Sequence, residues 1–427
     1  MTDFLDAFLA LVVMSTVTVI IAAQIRRRLP GDEGQLLARI FLWTVFLRYV
    51  LALFLNIYSG ESTFADTFWG DSFQYDQGGF LLAEYWKGDV LVNPYVESRI
   101  SGWGFFYFVA SIYYFFGRNQ LMVQLANGTI GGLTVLVIYA IAKDLFDVQV
   151  AQWSARFMGF FPQMLFWSGA LYKDPAIMLC IALCMYAVLK MRTQFTFTNI
   201  ALFIVPALAL MTLRFYVFYF VAFATLGTFV LSQRRGVVGS IFTQAALLGA
   251  FLLAFSFAAS RESVERQTDY FDLEKVQVAR ADQAKWGQSA FEAQADVSTS
   301  AGALSALPKG LLFLLFAPFP WSIAGIRQLL TVPETLVWYA LWPSLIRGLF
   351  MTIRTRLRDA LPILAFAASL TCAYAIFQGN VGTAYRQRTQ VTMFFFIFMA
   401  AGYVQKKRAQ KKPVAVARPA YATFSAR

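Results

Sequence analysis

Histidine is missing from all 427 residues of this chain. Its absence removes every mechanism that rests on imidazole: hydroxyl-activating triads, His-ligated zinc and His general bases. Acid–base work must come from Asp, Glu, Tyr or Lys. Cysteine is nearly missing too, with three in total. Cys180 and Cys184 share one face of an apolar run and Cys372 lies in another, none at metal-ligand spacing, so all three read as small buried hydrophobes. Charge is scarce: 14% of residues are Asp, Glu, Lys or Arg, against about 25% in an average soluble domain. No short cleavable leader stands apart from the rest. The first apolar run, 4–23, is long enough to span a bilayer and is followed directly by Arg26, Arg27 and Arg28.

What is present is apolar surface. Hydrophobic residues make up 59% of the chain and aromatics 17%, and the mean hydropathy is +0.57. The fold class is an all-α polytopic membrane protein. Its formal charge of +12 does not point to nucleic acid. The basic residues cluster beside apolar runs, at 26–28, 234–235, 354–358 and 406–412, which is the positive-inside pattern with anionic lipid headgroups as counter-charge.

Runs of 17–22 apolar residues place spans at about 4–23, 37–58, 121–142, 150–170, 174–190, 199–213, 215–232, 238–258, 333–352, 359–378 and 389–404. That is about eleven crossings with the basic tail inside. Two apolar stretches are too short to cross, 103–117 and 310–320, and read as re-entrant or interfacial elements. The chain divides into an N-terminal span and basic turn (1–36), a membrane module (37–258) with an outer-face loop at 59–102, a polar outer-face loop (259–307), a C-terminal membrane bundle (308–404) and a basic disordered tail (405–427). Within the polar loop the run QADVSTSAGALSA reads as flexible.

The loop after the second span is the wettest part of an otherwise apolar chain. It holds Asp66, Asp71, Asp76, Glu84, Asp89 and Glu97 among Trp69, Tyr75, Tyr85 and Trp86. From Asp71 to Trp86 the apolar Phe73, Phe80, Leu81, Ala83 and Trp86 fall roughly on one helical face, as in a helix lying on a membrane surface. The same topology brings Lys173, Asp174, Arg214, Arg327, Glu334, Arg386 and Arg388 to the outer face. Ionisable groups at membrane depth cost about 2.5–3.5 kcal/mol each on insertion scales, so a convergent set of them reads as a site. Each alone is equally well a span-end residue reaching for headgroups. Together, carboxylates can orient or deprotonate an acceptor, and arginines can hold a phosphate in a planar two-bond fork.

In this order the motifs resemble the GT-C superfamily of membrane glycosyltransferases, especially the branch of protein O-mannosyltransferases and the lipid A aminoarabinose transferase. The loop GDSFQYDQGGFLLAEYW is similar to that family's acidic-aromatic first loop. Asn93-Pro94-Tyr95 leads into a short apolar helix ending in Phe116-Gly117, then a Gly-rich helix ending before Lys143. The run VAQWSARFMGFFPQMLFWSGALYKDP resembles a helix with proline near its middle that arrives at an outer acid. Residues 382–388 resemble late outer-face arginine motifs. The resemblance implies transfer of a sugar from a polyprenyl-phosphate-linked donor to a lipid, glycan or protein acceptor, in a GT-C-like bundle at the outer face of a bacterial inner membrane. It implies a base in the first loop, Asp71, with Asp76 as the other candidate because the family's adjacent acidic pair is absent here. Tyr75, Lys173, Asp174, Arg214, Arg386 and Arg388 are then substrate-binding. No cofactor is implied with certainty, and a divalent cation would have to be held by carboxylate oxygens. Two other classes fit the composition. A polysaccharide polymerase or ligase would place its chemistry late, around Arg214, Arg386 and Arg388. A lipid-linked glycan transporter would carry broken, polar helices at mid-membrane, and often a repeat.

Overall fold

A computed structural model describes residues 4–58, 70–89, 102–231, 272–286, 296–323 and 326–410, together with Gly249 and Phe291. Among these, fourteen helices and no strand are present. The helices are α1 (Phe4–Arg28), α2 (Asp32–Tyr58), α3 (Gly70–Trp86), α4 (Gly104–Phe116), α5 (Gln120–Leu145), α6 (Val148–Phe160) and α7 (Pro162–Gly169). After them come α8 (Asp174–Met191), α9 (Phe197–Leu231), α10 (Leu273–Trp286), α11 (Ser300–Phe316), α12 (Ile326–Phe377), α13 (Val381–Gln387) and α14 (Thr389–Gln410). Six of them, α1, α2, α5, α8, α9 and α12, are long and apolar enough to cross a membrane. The expected span at 238–258 apart from Gly249, the loop segments 59–69 and 90–101, and the tail from 411 lie outside the described residues.

The centre of the bundle is α5, which packs on α1, α2, α6, α7 and α8. Its small residues let neighbours approach. A Cβ on Gly128 would press against Arg48 and Tyr49, and one on Gly132 would collide with Val45. Close approach through small residues is how helices associate where lipid removes the hydrophobic drive. Around this seam the backbone breaks where the sequence forces it. Pro162 has no N–H to donate and restricts the residue before it, so Phe161 leaves the helix at ψ 125 and separates α6 from α7. A carbonyl exposed at that break, Gly159 O, accepts from the fully buried Arg48 at 3.2 Å. Arg48 Nε also reaches Ser168 at 2.6 Å.

Two helices are too long for one crossing of about 30 Å, and each is interrupted. In α9 the interruption is Arg214, at φ −159 and ψ 79. In α12 it is Arg356, at φ −140 and ψ 23. Both ends of α12 meet α13. Glu334 near its start receives the Tyr385 hydroxyl at 2.9 Å, and Gln378 just past its end donates to Gln387 at 2.7 Å. The break itself meets the end of α5, where Arg356 donates to Leu145 O at 2.8 Å. The chain therefore turns back at Arg356, where the basic cluster 354–358 was expected to mark an inner turn.

The side of α3 packed inside the protein is Ser72, Tyr75, Asp76, Gly79, Leu82 and Ala83, while Phe73 is 62% exposed and Leu81 38%, open to a membrane surface. Gly78 and Gly79 cause this, because they let α4 come so close that a Cβ on either would strike Phe106 or Val109. Among its described residues the polar loop contains α10, and two expectations after it need correction. The run that reads as flexible is in part the start of α11, since Thr299 accepts from Gly302 N and caps that helix. The short element near 310–320 is accordingly the second half of a 17-residue helix.

Candidate active site

The loop before α8 sets the site. Asn127, buried in α5, donates to Ala170 O and Tyr172 O, both at 2.9 Å. This fixes the turn that delivers Lys173 and Asp174. Asp174 is fully buried at the first residue of α8, where the helix dipole favours a carboxylate. Its Oδ2 receives Arg386 Nε at 2.7 Å, and its Oδ1 lies 3.5 Å from Arg214 Nη2. Arg386 comes from α13, which Asn380 starts by accepting from Gly382 N and Thr383 N. The guanidinium sits 4.2 Å from the centre of the Tyr172 ring. Its third contact is with α3: Arg386 Nη1 donates to Asp71 Oδ2 at 2.7 Å. Burial works against the charge on Arg386, and Asp174 and Asp71 more than restore it.

One guanidinium thus joins the first loop, the start of α8 and the late arginine motif. Lys173 stands beside them. Its ammonium is 5.8 Å from the Tyr75 ring centre, and Tyr75 packs edge-on against Phe105 and Phe106 at 5.0 and 5.3 Å. Gly102 makes room for it: the backbone there has φ +89, and a Cβ would collide with Lys173 Nζ. Burial, and then the nearby Arg214, pushes the Lys173 ammonium down to about 7.

Beside this cluster lies a cavity of about 430 Å³. It is lined by Lys173, Arg214, Tyr216, Lys275, Tyr374 and Gln378, with Val276, Ala279, Gln283, Phe377 and Gln387 completing the wall. No carboxylate is among the described lining residues. Arg214 Nη1 is buried and has no hydrogen-bond partner among the described residues. A cavity with cations on its wall suits an anion.

The remaining candidates go elsewhere. Asp76 is 1% exposed; its Oδ1 accepts from Tyr113 and its Oδ2 from Arg118, each at 2.5 Å. That network ties α3 to the turn before α5, and none of the described contacts links Asp76 to Arg386. Arg388 is also buried, and it donates to Leu315 O at 3.2 Å and Ala317 O at 2.9 Å. These are carbonyls left open at the end of α11, so Arg388 serves as a cap. The side chain of Arg327 lies outside the described residues. A divalent ion finds a thin donor set here, because Asp71 and Asp174 share Arg386. No cluster of three or more Cys, Asp or Glu side chains exists among the described residues.

The sequence reading missed the far wall of the cavity. Lys275 and Gln283 sit on α10, in a stretch that read only as polar loop. Tyr216, Tyr374, Gln378 and Gln387 carry no charge, so a search for ionisable groups passed over them. Gln378 and Gln387 do stand out in hindsight, as amides at span ends beside Arg386.

With this geometry in place, comparison with known proteins adds one finding. Residues 102–259 match the family model described as dolichyl-phosphate-mannose-protein mannosyltransferase. The match covers α4 to α9 and supports the resemblance to the GT-C superfamily. It takes in Lys173, Asp174 and Arg214, and lies between α3, which carries Asp71, and α13, which carries Arg386. No curated protein matches the chain.

Proposed function

We propose that this membrane glycosyltransferase transfers a sugar from a polyprenyl-phosphate donor at the outer membrane face, with the donor phosphate in the cavity beside Arg214 and Lys173. One observation carries the reading: an anion-suited cavity adjoins an ion cluster that joins Asp71, Arg386, Asp174 and Arg214. In the reaction the acceptor hydroxyl attacks C1 of the sugar and its proton goes to the Asp71 carboxylate. The bond from C1 to the phosphate oxygen breaks, a glycosidic bond forms, and the polyprenyl phosphate leaves with the bonding pair. Arg214 and Lys173 stabilise the negative charge that grows on the leaving oxygen. Arg386 holds Asp71 at the edge of the site, where half of its side chain is exposed, and Asp174 holds both arginines from behind.

The union of early and late residues bears on the competing classes. A polymerase reading keeps the chemistry in the late arginines and leaves α3 aside, yet Asp71 contacts Arg386 directly. Binding of polyprenyl phosphate to the purified protein in nanodiscs tests the proposal. Arg214→Met should weaken binding by about thirtyfold or more, the order expected when a buried charged contact worth about 2–5 kcal/mol is lost. Equal affinity in the wild type and the variant would remove Arg214 from the phosphate site.

A further inference from the structure

Glu334 is a buried acid that the transfer chemistry above does not use. It is 6% exposed near the start of α12, and it is not among the described lining residues of the cavity. An ionisable group buried at membrane depth is costly enough to mark a functional part of the molecule. Its Oε2 accepts from the Tyr385 hydroxyl at 2.9 Å, and the backbone N–H of Gln163 faces the same carboxylate.

Tyr385 directly precedes Arg386, and its phenol is not the only part that is held. Its backbone oxygen accepts from Gln163 Nε2, at the start of α7. Its ring centre lies 4.7 Å from the Arg388 guanidinium. These tethers matter because α13 has only seven residues, Val381–Gln387. A helix that short is not stable by itself, so its place in the bundle is set by what grips it. Arg386 in turn holds the half-exposed Asp71 at 2.7 Å. A path therefore runs from α12 to α3 through Glu334, Tyr385, Arg386 and Asp71, by a hydrogen bond, a peptide bond and an ion pair.

We infer that Glu334 is a positioning residue: by gripping the Tyr385 hydroxyl it fixes α13, and through Arg386 it sets the place from which Asp71 takes the acceptor's proton. Proton transfer needs the base within hydrogen-bond reach of the hydroxyl, and a misplacement of about 1 Å costs about 10²-fold in rate. Phosphate binding belongs to Arg214 and Lys173, which the break in α9 and the turn before α8 deliver, so it does not depend on this path.

This inference rests on Asp71 being the base proposed above, and a double-mutant cycle separates the two. The full chain in nanodiscs is given polyprenyl-phosphate mannose, glucose or aminoarabinose, with water as the acceptor. Release of polyprenyl phosphate is followed at saturating donor. Tyr385→Phe keeps the ring and removes the hydroxyl, and it should lower kcat by about tenfold or more while affinity for polyprenyl phosphate stays within about twofold. Glu334→Ala should act in the same way, and Glu334→Gln, which keeps an acceptor oxygen for Tyr385, should lose less. In an Asp71→Asn background the Tyr385→Phe loss should vanish, because residues that act as a unit are not additive. If Tyr385→Phe does not fold, Gln163→Met cuts the second tether and takes its place in the cycle. A loss that persists undiminished in the Asp71→Asn background, a loss carried by donor affinity, or no loss from Tyr385→Phe or Glu334→Ala overturns the role of Glu334. A wild type that releases nothing from these donors, or an Asp71→Asn variant with wild-type turnover, overturns the proposed function, and this inference falls with it.

Discussion

Two aspartates on α3, five positions apart, have different surroundings because a helix turns them to different sides. Asp71 is half exposed at the tip, tied to Arg386. Asp76 is buried against Tyr113 and Arg118. Replacing a catalytic base lowers the rate by about 10²–10⁴-fold, so with Asp71 as the base proposed above, Asp71→Asn should lose turnover on that scale. Its melting temperature in detergent should move little, since Asp71 is half exposed and the buried Arg386 keeps its bonds to Asp174. Asp76→Ala should do the reverse, with a stability loss of about 1–3 kcal/mol from stranding Tyr113 and near-normal turnover per folded molecule. If Asp76→Ala folds well and is inactive, the base has been assigned to the wrong acid. Lys173 gives a pH test. Its ammonium, lowered to about 7 by burial and by Arg214, also faces Arg386, Asp174, Asp71 and Tyr75. A phosphodiester beside it favours the charged form. Below about pH 7 the charge is already present, and above it binding must draw a proton from water. Affinity for a phosphodiester donor should therefore fall as pH rises beyond that point, by at most about tenfold per pH unit. Lys173→Met should flatten the profile, and an unchanged slope in that variant would assign it to another group.

At the scale of elements, the helix breaks deliver the functional groups. The extended residue Arg214 interrupts α9 beside the N-terminus of α8, so a guanidinium that would otherwise face a continuing helix meets Asp174. The break at Pro162 leaves α7 to carry Trp167 to within 5.4 Å of the Arg386 guanidinium. Arg388 shows the cost of ending a helix inside the molecule: three carbonyls near the end of α11 lie within 3.5 Å of its Nη1. Arg388→Met should lower stability by about 1–3 kcal/mol, the range for buried polar groups left unsatisfied. Binding of polyprenyl phosphate should survive, measured on the folded fraction. A full-strength fold with lost binding would return Arg388 to the substrate site.

At the scale of the whole molecule, charge collects at two opposite ends. One end holds Asp71, Lys173, Asp174, Arg214 and Arg386. The other is laced by Lys143 with Glu33 at 2.5 Å, Lys190 with Asp144 at 2.7 Å, Arg192 with Asp359 at 3.5 Å and Arg408 with Asp147 at 2.9 Å. Between them α8 runs 18 residues, about 27 Å at 1.5 Å per residue, close to a hydrocarbon thickness of about 30 Å. In the orientation proposed above the second end faces the cytoplasm, as the positive-inside rule expects. In a background without the three native cysteines, Val278→Cys on α10 should react with an impermeant reagent added outside. Ala409→Cys should react only after the membrane is opened. Labelling of both from one side would overturn this topology.

The sequence by itself determined the class and the ends. Apolar runs of spanning length have few alternatives in a bilayer, because every backbone polar group must be satisfied within the helix. Basic clusters then sort the run ends into two sets, and the absence of histidine leaves Asp, Glu, Tyr and Lys as the acid–base groups to consider. Lys173, Asp174, Arg214 and Arg386 could be named because each is a charge at the edge of an apolar run. What only the tertiary structure decided is which charges meet. Asp71 and Arg386 stand 315 residues apart, and no local pattern relates them. Asp76 and Arg388 have the same residue types as their neighbours, but rotation about their helices turns them toward Tyr113 and the end of α11. The Gly78 and Gly79 contact chose which side of α3 packs on α4, since close backbone approach selects a face that hydrophobicity alone does not. The amides on the cavity wall were hidden for a related reason: a glutamine at a span end looks ordinary until packing sets it beside a cavity.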